Sequence, residues 1–143
     1  MTIKFGDPQV NYFVEDVETA VRFYAEHFEF VETFRTPKQG KPEHVEMKLG
    51  SLTLGLSSRE AGKSVHGLPL GPAGSPRAAL VVWTENVDDV DKAYAALLVK
   101  GVPSVKPPHD FLSLRAAWVM DPDGNPVEIV SQRVAHEEPQ ATE

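Results

Sequence analysis

Apolar and polar residues along this chain follow two periods that alternate in a fixed order. Gln9 to Val14 alternates with period two and stops at Asp16, which reads as a strand. Val17, Ala20, Val21, Tyr24 and Phe28 then recur at helical spacing. That spacing predicts a helix over about 17–28, with Asp16 as its N-cap and acidic Glu18 in the first turn. Phe30 to Phe34 is β-prone. His44-Val45-Glu46-Met47-Lys48-Leu49 and Leu52-Thr53-Leu54-Gly55-Leu56 alternate on either side of Gly50-Ser51, which predicts a hairpin closed by a type II′ turn. The first half therefore reads β-α-β-β-β.

The second half repeats the order. Ala79 to Trp83 predicts a strand and residues 87–99 a helix, with Gly101 as its C′ residue. Val102 to Lys106 is a weak strand and Pro107-Pro108-His109-Asp110 a rigid loop. Leu114 to Met120 and Pro126 to Val130 are strands around the turn Asp121-Pro122-Asp123-Gly124-Asn125. Residues 59–77, rich in Gly, Pro and Ser, read as the linker, and the tail from about 133 has little to bury and is expected to be disordered. The repeat is visible in the residues themselves. Val14-Glu15-Asp16-Val17-Glu18-Thr19-Ala20-Val21-Arg22-Phe23-Tyr24 is echoed by Thr84-Glu85-Asn86-Val87-Asp88-Asp89-Val90-Asp91-Lys92-Ala93-Tyr94. The offset is constant, since 86 − 16 and 94 − 24 both equal 70. Two copies of one supersecondary unit are implied.

Composition narrows the partners. The 143 residues suit one domain, or two half-domains sharing a core, and 41% hydrophobic with 24% charged residues is ordinary for a globular protein. A net charge of −7 without a basic cluster argues against nucleic acid and anionic membrane surfaces. No apolar run reaches the roughly 18–20 residues of a membrane span, and the N-terminus lacks a signal-peptide core, so a cytoplasmic protein is expected. The absence of cysteine excludes disulfides, thiolate nucleophiles and Cys-ligated metals.

The strand with Val-x-Asp-Val-Glu-x-Ala-x-x-Phe-Tyr at 14–24, its echo at 84–94, and Asp121-Pro-Asp-Gly-Asn-Pro-Val-Glu128 together resemble the vicinal-oxygen-chelate superfamily. Its members include glyoxalase I, extradiol dioxygenases, fosfomycin-resistance enzymes and bleomycin-resistance proteins, and the likeness covers about residues 9–131. The resemblance implies an α+β fold: two βαβββ modules forming paired open U-shaped sheets, with helices outside and pockets inside. One glyoxalase/bleomycin-resistance-type domain would fill residues 1–143, with module 1 at about 8–58, linker 59–77, module 2 at about 78–132 and tail 133–143. Glu29 departs from the family, which often carries Gly after the first helix.

The strand pleat sorts side chains into two faces. Val10, Tyr12 and Val14 take the helix side in the first strand, leaving Gln9, Asn11 and Phe13 for the pocket. Leu80 and Val82 take the helix side in the second module, leaving Ala79, Val81 and Trp83. Val45, Met47, Leu49, Leu52, Leu54 and Leu56 form the apolar side of the hairpin, opposite His44, Glu46, Lys48, Thr53 and Gly55. In the last strand Val127 and Ile129 alternate with Glu128 and Val130.

The resemblance implies metal-ligand positions at the start of the first strand and the middle of the last strand of each module. By register these are Gln9, Gly55, Ala79 and Glu128. Ala79 and Gly55 carry no donor, so the ordinary metal site is expected to be lost and no cofactor is expected. A site rebuilt from Gln9, Glu46 and Glu128, with His44 beside it, is the alternative, because Glu46 falls opposite Gly55 if Gly50-Ser51 is the turn. His109, in its loop beside Phe111, is a candidate acid, base or hydrogen-bond donor. His27 and His66 read as surface residues, and Trp83 and Trp118 as core filler or stacking platforms. No Ser-His-Asp, phosphate-binding or dinucleotide motif is present.

The expected site is therefore a ligand pocket of Gln9, Asn11, Phe13, Trp83, His109, Phe111, Trp118 and Glu128. Three classes of function remain open. One is metal-independent sequestration of a small aromatic or amphipathic molecule, similar to bleomycin-resistance proteins. The others are a metal-dependent enzyme with the rebuilt site, and a metal-free enzyme using Glu128 or His109 as general base. A homodimer is expected, because each module buries limited core and open sheets leave edges for a partner.

Overall fold

The computed structural model describes residues 4, 7–72, 75–76 and 78–133. The expected disordered tail beyond Arg133 lies outside them. The chain forms two compact units, Met1–Pro72 and Ala73–Glu143. The first contains β1 (Val10–Val14), α1 (Val17–Phe28), β2 (Val31–Thr36), β3 (His44–Leu49), β4 (Leu52–Ser58) and α2 (Arg59–Ser64). The second contains β5 (Leu80–Trp83), α3 (Asp88–Val99), β6 (Ser104–Phe111), β7 (Leu114–Met120) and β8 (Pro126–Gln132). No helix among the described residues is long and apolar enough to cross a membrane.

Each unit carries an open four-stranded mixed sheet, in the orders β1-β4-β3-β2 and β5-β8-β7-β6. The first strand of each unit pairs parallel with the last, and the other pairings are antiparallel. In the first unit the helix-facing set is dry: Val45, Met47, Leu54 and Leu56 are fully buried beside Tyr24 of α1. Burying side chains of this size contributes about 1.5–3 kcal/mol each. In the second unit Val119, Val127 and Ile129 do the same beneath Val90. Val10 departs from the expected pattern and is 48% exposed, because it begins a strand at the sheet's edge.

The helix termini follow local chemistry. The Asp16 carboxylate accepts from the Thr19 backbone N–H at 3.0 Å and also bonds the Thr19 hydroxyl, capping α1. Glu29 ends α1 in the left-handed region at φ 64°. The echo is imperfect at α3, where Val87 takes the N-cap position without a side-chain bond. Arg35 bonds Glu18 of α1 through both terminal nitrogens (2.9 and 3.0 Å) and Glu32 through Nε (2.7 Å), locking helix to sheet. Arg115 does the same in the second unit with Asp91 of α3, at 2.7 and 2.8 Å.

Two segments differ from their sequence reading. Residues 59–64, within the expected linker, form α2. Its start is fixed by Ser58, whose hydroxyl donates to Glu43 at 2.6 Å and accepts from the Ala61 N–H at 3.0 Å. Pro107-Pro108-His109-Asp110, expected as a loop, belongs to β6. Proline is tolerated there because β6 is an edge strand with register shifts at Ser104/Lys106 and Lys106/His109.

Candidate functional site

The face of the first sheet that turns away from α1 opens into a cleft of ≈ 570 Å³ lined by residues of β1, β2, β3, β4 and α2. Asn11, His44 and Ser57 give it a polar floor, while Phe13, Ala61 and Val65 supply apolar walls. Gly62 brings α2 close over β1, since a Cβ there would stand 2.9 Å from the Phe13 ring. His66, expected as a plain surface residue, also lines the cleft.

The floor is a connected hydrogen-bond array. His44 Nδ1 lies 2.7 Å from Ser57 Oγ, and His44 Nε2 lies 3.0 Å from Glu46 Oε2. The Asn11 Nδ2–H donates to Ser57 Oγ at 3.1 Å. Pairing explains the assembly: His44 stands opposite Ser57, and both Glu46 and Asn11 stand opposite Gly55. All four side chains lie on the face away from the buried set. Although the sequence has no Ser-His-acid motif, the fold brings Ser57, His44 and Glu46 together in that order. The alternation of apolar residues ends at Leu56, so Ser57 carries no signal in the sequence.

Gly55 makes the array possible. A Cβ at that position would collide with the Asn11 carboxamide oxygen and stand 2.9 Å from Gln9 Nε2 and 3.0 Å from His44 Cε1. The space a fourth-strand ligand would need is thus filled by neutral amides and an imidazole. Glu46, opposite Gly55 as the turn predicts, is engaged by His44. Among the described residues no group of three or more His, Asp or Glu side chains is arranged to hold a metal ion. Gly55 and Ala79 carry no side-chain donor, so these two of the four ligand positions do not fit a divalent cation, which takes three or four good donors.

The corresponding face of the second sheet is different in chemistry. Glu128 stands between Val81 and Trp118, and Trp83 lies beyond on the same face, 59% exposed. Burial pushes the Glu128 carboxyl above its usual range, opposed by the nearby charge of His109. His109 lies on β6, with Nδ1 2.9 Å from the Pro107 carbonyl and its ring stacked on Phe111 at 5.8 Å. Gln9 is exposed beside Gly55 rather than lining the cleft. His27 is half-buried against Phe23, with Nδ1 shielded and without a hydrogen-bond partner.

The family model for the Glyoxalase/Bleomycin resistance protein/Dioxygenase superfamily matches residues 8–129. The chain belongs to this superfamily. Hypothetical protein SA1046 from S. aureus superimposes with a TM-score of 0.75 at 19% identity, over 90% of this chain and 95% of that one. A glyoxalase/bleomycin resistance protein/dioxygenase from Nocardioides gives 0.72 at 20% identity, over 99% and 93%. Lactoylglutathione lyase from Agrobacterium tumefaciens gives 0.66 at 17% identity, over 94% and 99%. These likenesses establish the fold. No curated protein matches this sequence.

Proposed function

We propose that this superfamily member binds a small organic molecule in the cleft of its first unit. The observation that carries the reading is a ≈ 570 Å³ cleft in which the hydrogen-bonded side chains Asn11, His44 and Ser57 face the same space as the apolar groups Phe13, Ala61 and Val65. Small-molecule sites are commonly about 300–1,000 Å³ and use a few fixed polar groups within an apolar enclosure. The ligand is flat and aromatic or amphipathic, set against Phe13 and oriented by Asn11 and Ser57. The chain's net charge of −7 favours a cationic one. Binding needs no metal or other cofactor, and sequestration of an antibiotic of that type in the cytoplasm fits these features.

Trp83, Trp118 and Glu128, with His109 and Phe111 on the edge strand, form a second candidate surface in the other unit. Trp83 is also suited to contact a second copy in a homodimer. Thermal-shift screening of cationic aromatic antibiotics and aromatic metabolites tests the reading. A hit should be weakened by Phe13→Ala, and a hit weakened only by Trp83→Ala would move the site to the second unit. Stabilisation that survives both substitutions would overturn the proposal. Light scattering at micromolar concentration tests the dimer, which a mass of 15.7 kDa would exclude.

A further inference from the structure

The hydrogen-bond array on the cleft floor has a direction. An ionised carboxylate only accepts, so the bond to Glu46 fixes the proton of neutral His44 on Nε2. Nδ1 then presents its lone pair to the Ser57 hydroxyl at 2.7 Å, closer than the Asn11 carboxamide oxygen, the alternative acceptor of that proton at 3.3 Å. The Asn11 amide occupies one lone pair of Ser57 Oγ and leaves the other for attack. Glu46 lies outside the cleft lining, whereas His44, Ser57 and Asn11 belong to it. The order therefore runs from an acid behind the imidazole to a hydroxyl in the cleft, with His44 and Glu46 only 24% and 29% exposed.

The internal repeat provides a control. By strand register, the counterparts of Asn11, His44, Glu46 and Ser57 are Val81, Ala116, Trp118 and Val130. All four polar positions are apolar in the other copy. The fold does not require the array, and one module carries it complete while the other carries none of it.

We propose that Ser57 is a nucleophile for acyl transfer from small activated esters, with His44 as general base and Glu46 as the residue that positions the imidazole. Ser57 Oγ bonds to the acyl carbon as its proton passes to His44 Nδ1. The ester C–O bond then breaks, and the Nδ1 proton leaves with the alcohol. Water attacks the acyl-Ser57 ester, gives a proton to Nδ1, and releases the carboxylic acid as Ser57 recovers its hydrogen. This is the logic of an activated hydroxyl nucleophile, with the two ring nitrogens exchanged relative to the commoner arrangement. The assignment rests on the cleft being the binding site.

The test treats the full chain with p-nitrophenyl acetate and, separately, with a fluorophosphonate, followed by peptide mapping. The expected result is a single adduct on Ser57, absent in Ser57→Ala. His44→Gln should slow labelling on the order of a hundredfold, the usual worth of a positioned base. Glu46→Gln should slow it less while near-UV circular dichroism stays unchanged. An unlabelled Ser57, adducts spread over exposed serines such as Ser51 and Ser64, or a rate indifferent to His44→Gln in a folded variant would overturn the proposal. The map of the unsubstituted chain decides even if a variant fails to fold. Thermal-shift binding to Ser57→Ala separates the two readings: ligand binding without labelling removes the nucleophile alone, and labelling without binding of the aromatic panel removes that ligand class alone.

Discussion

The carboxamide of Asn11 fills the volume that a side chain at Gly55 would need. Asn11 pairs directly with Gly55 across the parallel β1–β4 ladder, and its oxygen would overlap a Cβ there. A missing side chain on the central strand therefore holds a neighbouring amide over the sheet, within 3.1 Å of Ser57.

Gly55→Ala should consequently displace the Asn11 amide and break its bond to Ser57. Overpacking of this kind typically costs about 1–3 kcal/mol, and here the low end applies because one colliding group is the tip of a side chain. Asn11→Ala should relieve part of the damage. A double-mutant cycle by urea denaturation should show the two substitutions costing less together than the sum of their separate effects. Strict additivity would mean that the two residues are not coupled.

Glu29→Gly should stabilise the protein. Glu29 holds φ at 64° while its backbone N–H bonds the Tyr24 carbonyl, a geometry glycine adopts without steric cost. The gain should be about 1 kcal/mol, the usual penalty of a side chain in the left-handed region. A higher urea midpoint with an unchanged slope is the expected signature. An unchanged or lower midpoint would show that the Glu29 side chain contributes more than its backbone costs.

The repeat and the pleat explain why so much of the fold is legible in the sequence. Period-two alternation in β3 and β4 places Val45, Met47, Leu54 and Leu56 on one face, and all four are fully buried. The same alternation puts Asn11 and Phe13 on the opposite face, where both line the cleft. Ser57 escapes such reasoning because Ser57-Ser58-Arg59 has no apolar member to extend the pattern. Only the antiparallel register, running on to the His44–Ser57 pair, brings the hydroxyl to the imidazole. Helix α2 is hidden for a related reason. Arg59–Ser64 has no apolar stripe, and its start depends on the Ser58–Glu43 contact, 15 residues apart. Pro107 and Pro108 conceal β6, since the compatibility of proline with that strand depends on its edge position.

Acid should weaken the protein in part through Arg35. Its guanidinium holds the carboxyls of Glu18 and Glu32 below their usual value of 4.5. Carboxylates depressed in the folded state contribute stability above the unfolded value, and that contribution is lost as pH falls through the folded one. Arg35→Met should therefore lower the melting temperature at neutral pH, with the gap to wild type closing once pH falls well below 4.5. Both pairs are partly exposed, so added salt should also narrow the gap at pH 7. A gap independent of pH would assign the effect to packing of the Arg35 stem.

Glu128 should behave in the opposite sense. Burial raises its carboxyl pKa from 4.5, with the charge of His109 opposing the rise. The folded protein thus holds its proton to higher pH than the unfolded chain does. The stability of the protonated form is fully present below 4.5 and is lost as pH rises through the folded value. Glu128→Gln keeps a neutral group of the same shape at every pH. It should match wild type in acid and melt at a higher temperature at pH 7. Replacing His109 with Ala removes the opposing charge, so the Glu128 carboxyl should titrate at still higher pH, which carbon-detected NMR of the Glu128 side chain would read directly. A titration unaffected by His109→Ala would place the two groups too far apart to interact, and a Glu128→Gln variant no more stable at pH 7 would mean that solvent reaches the carboxylate freely.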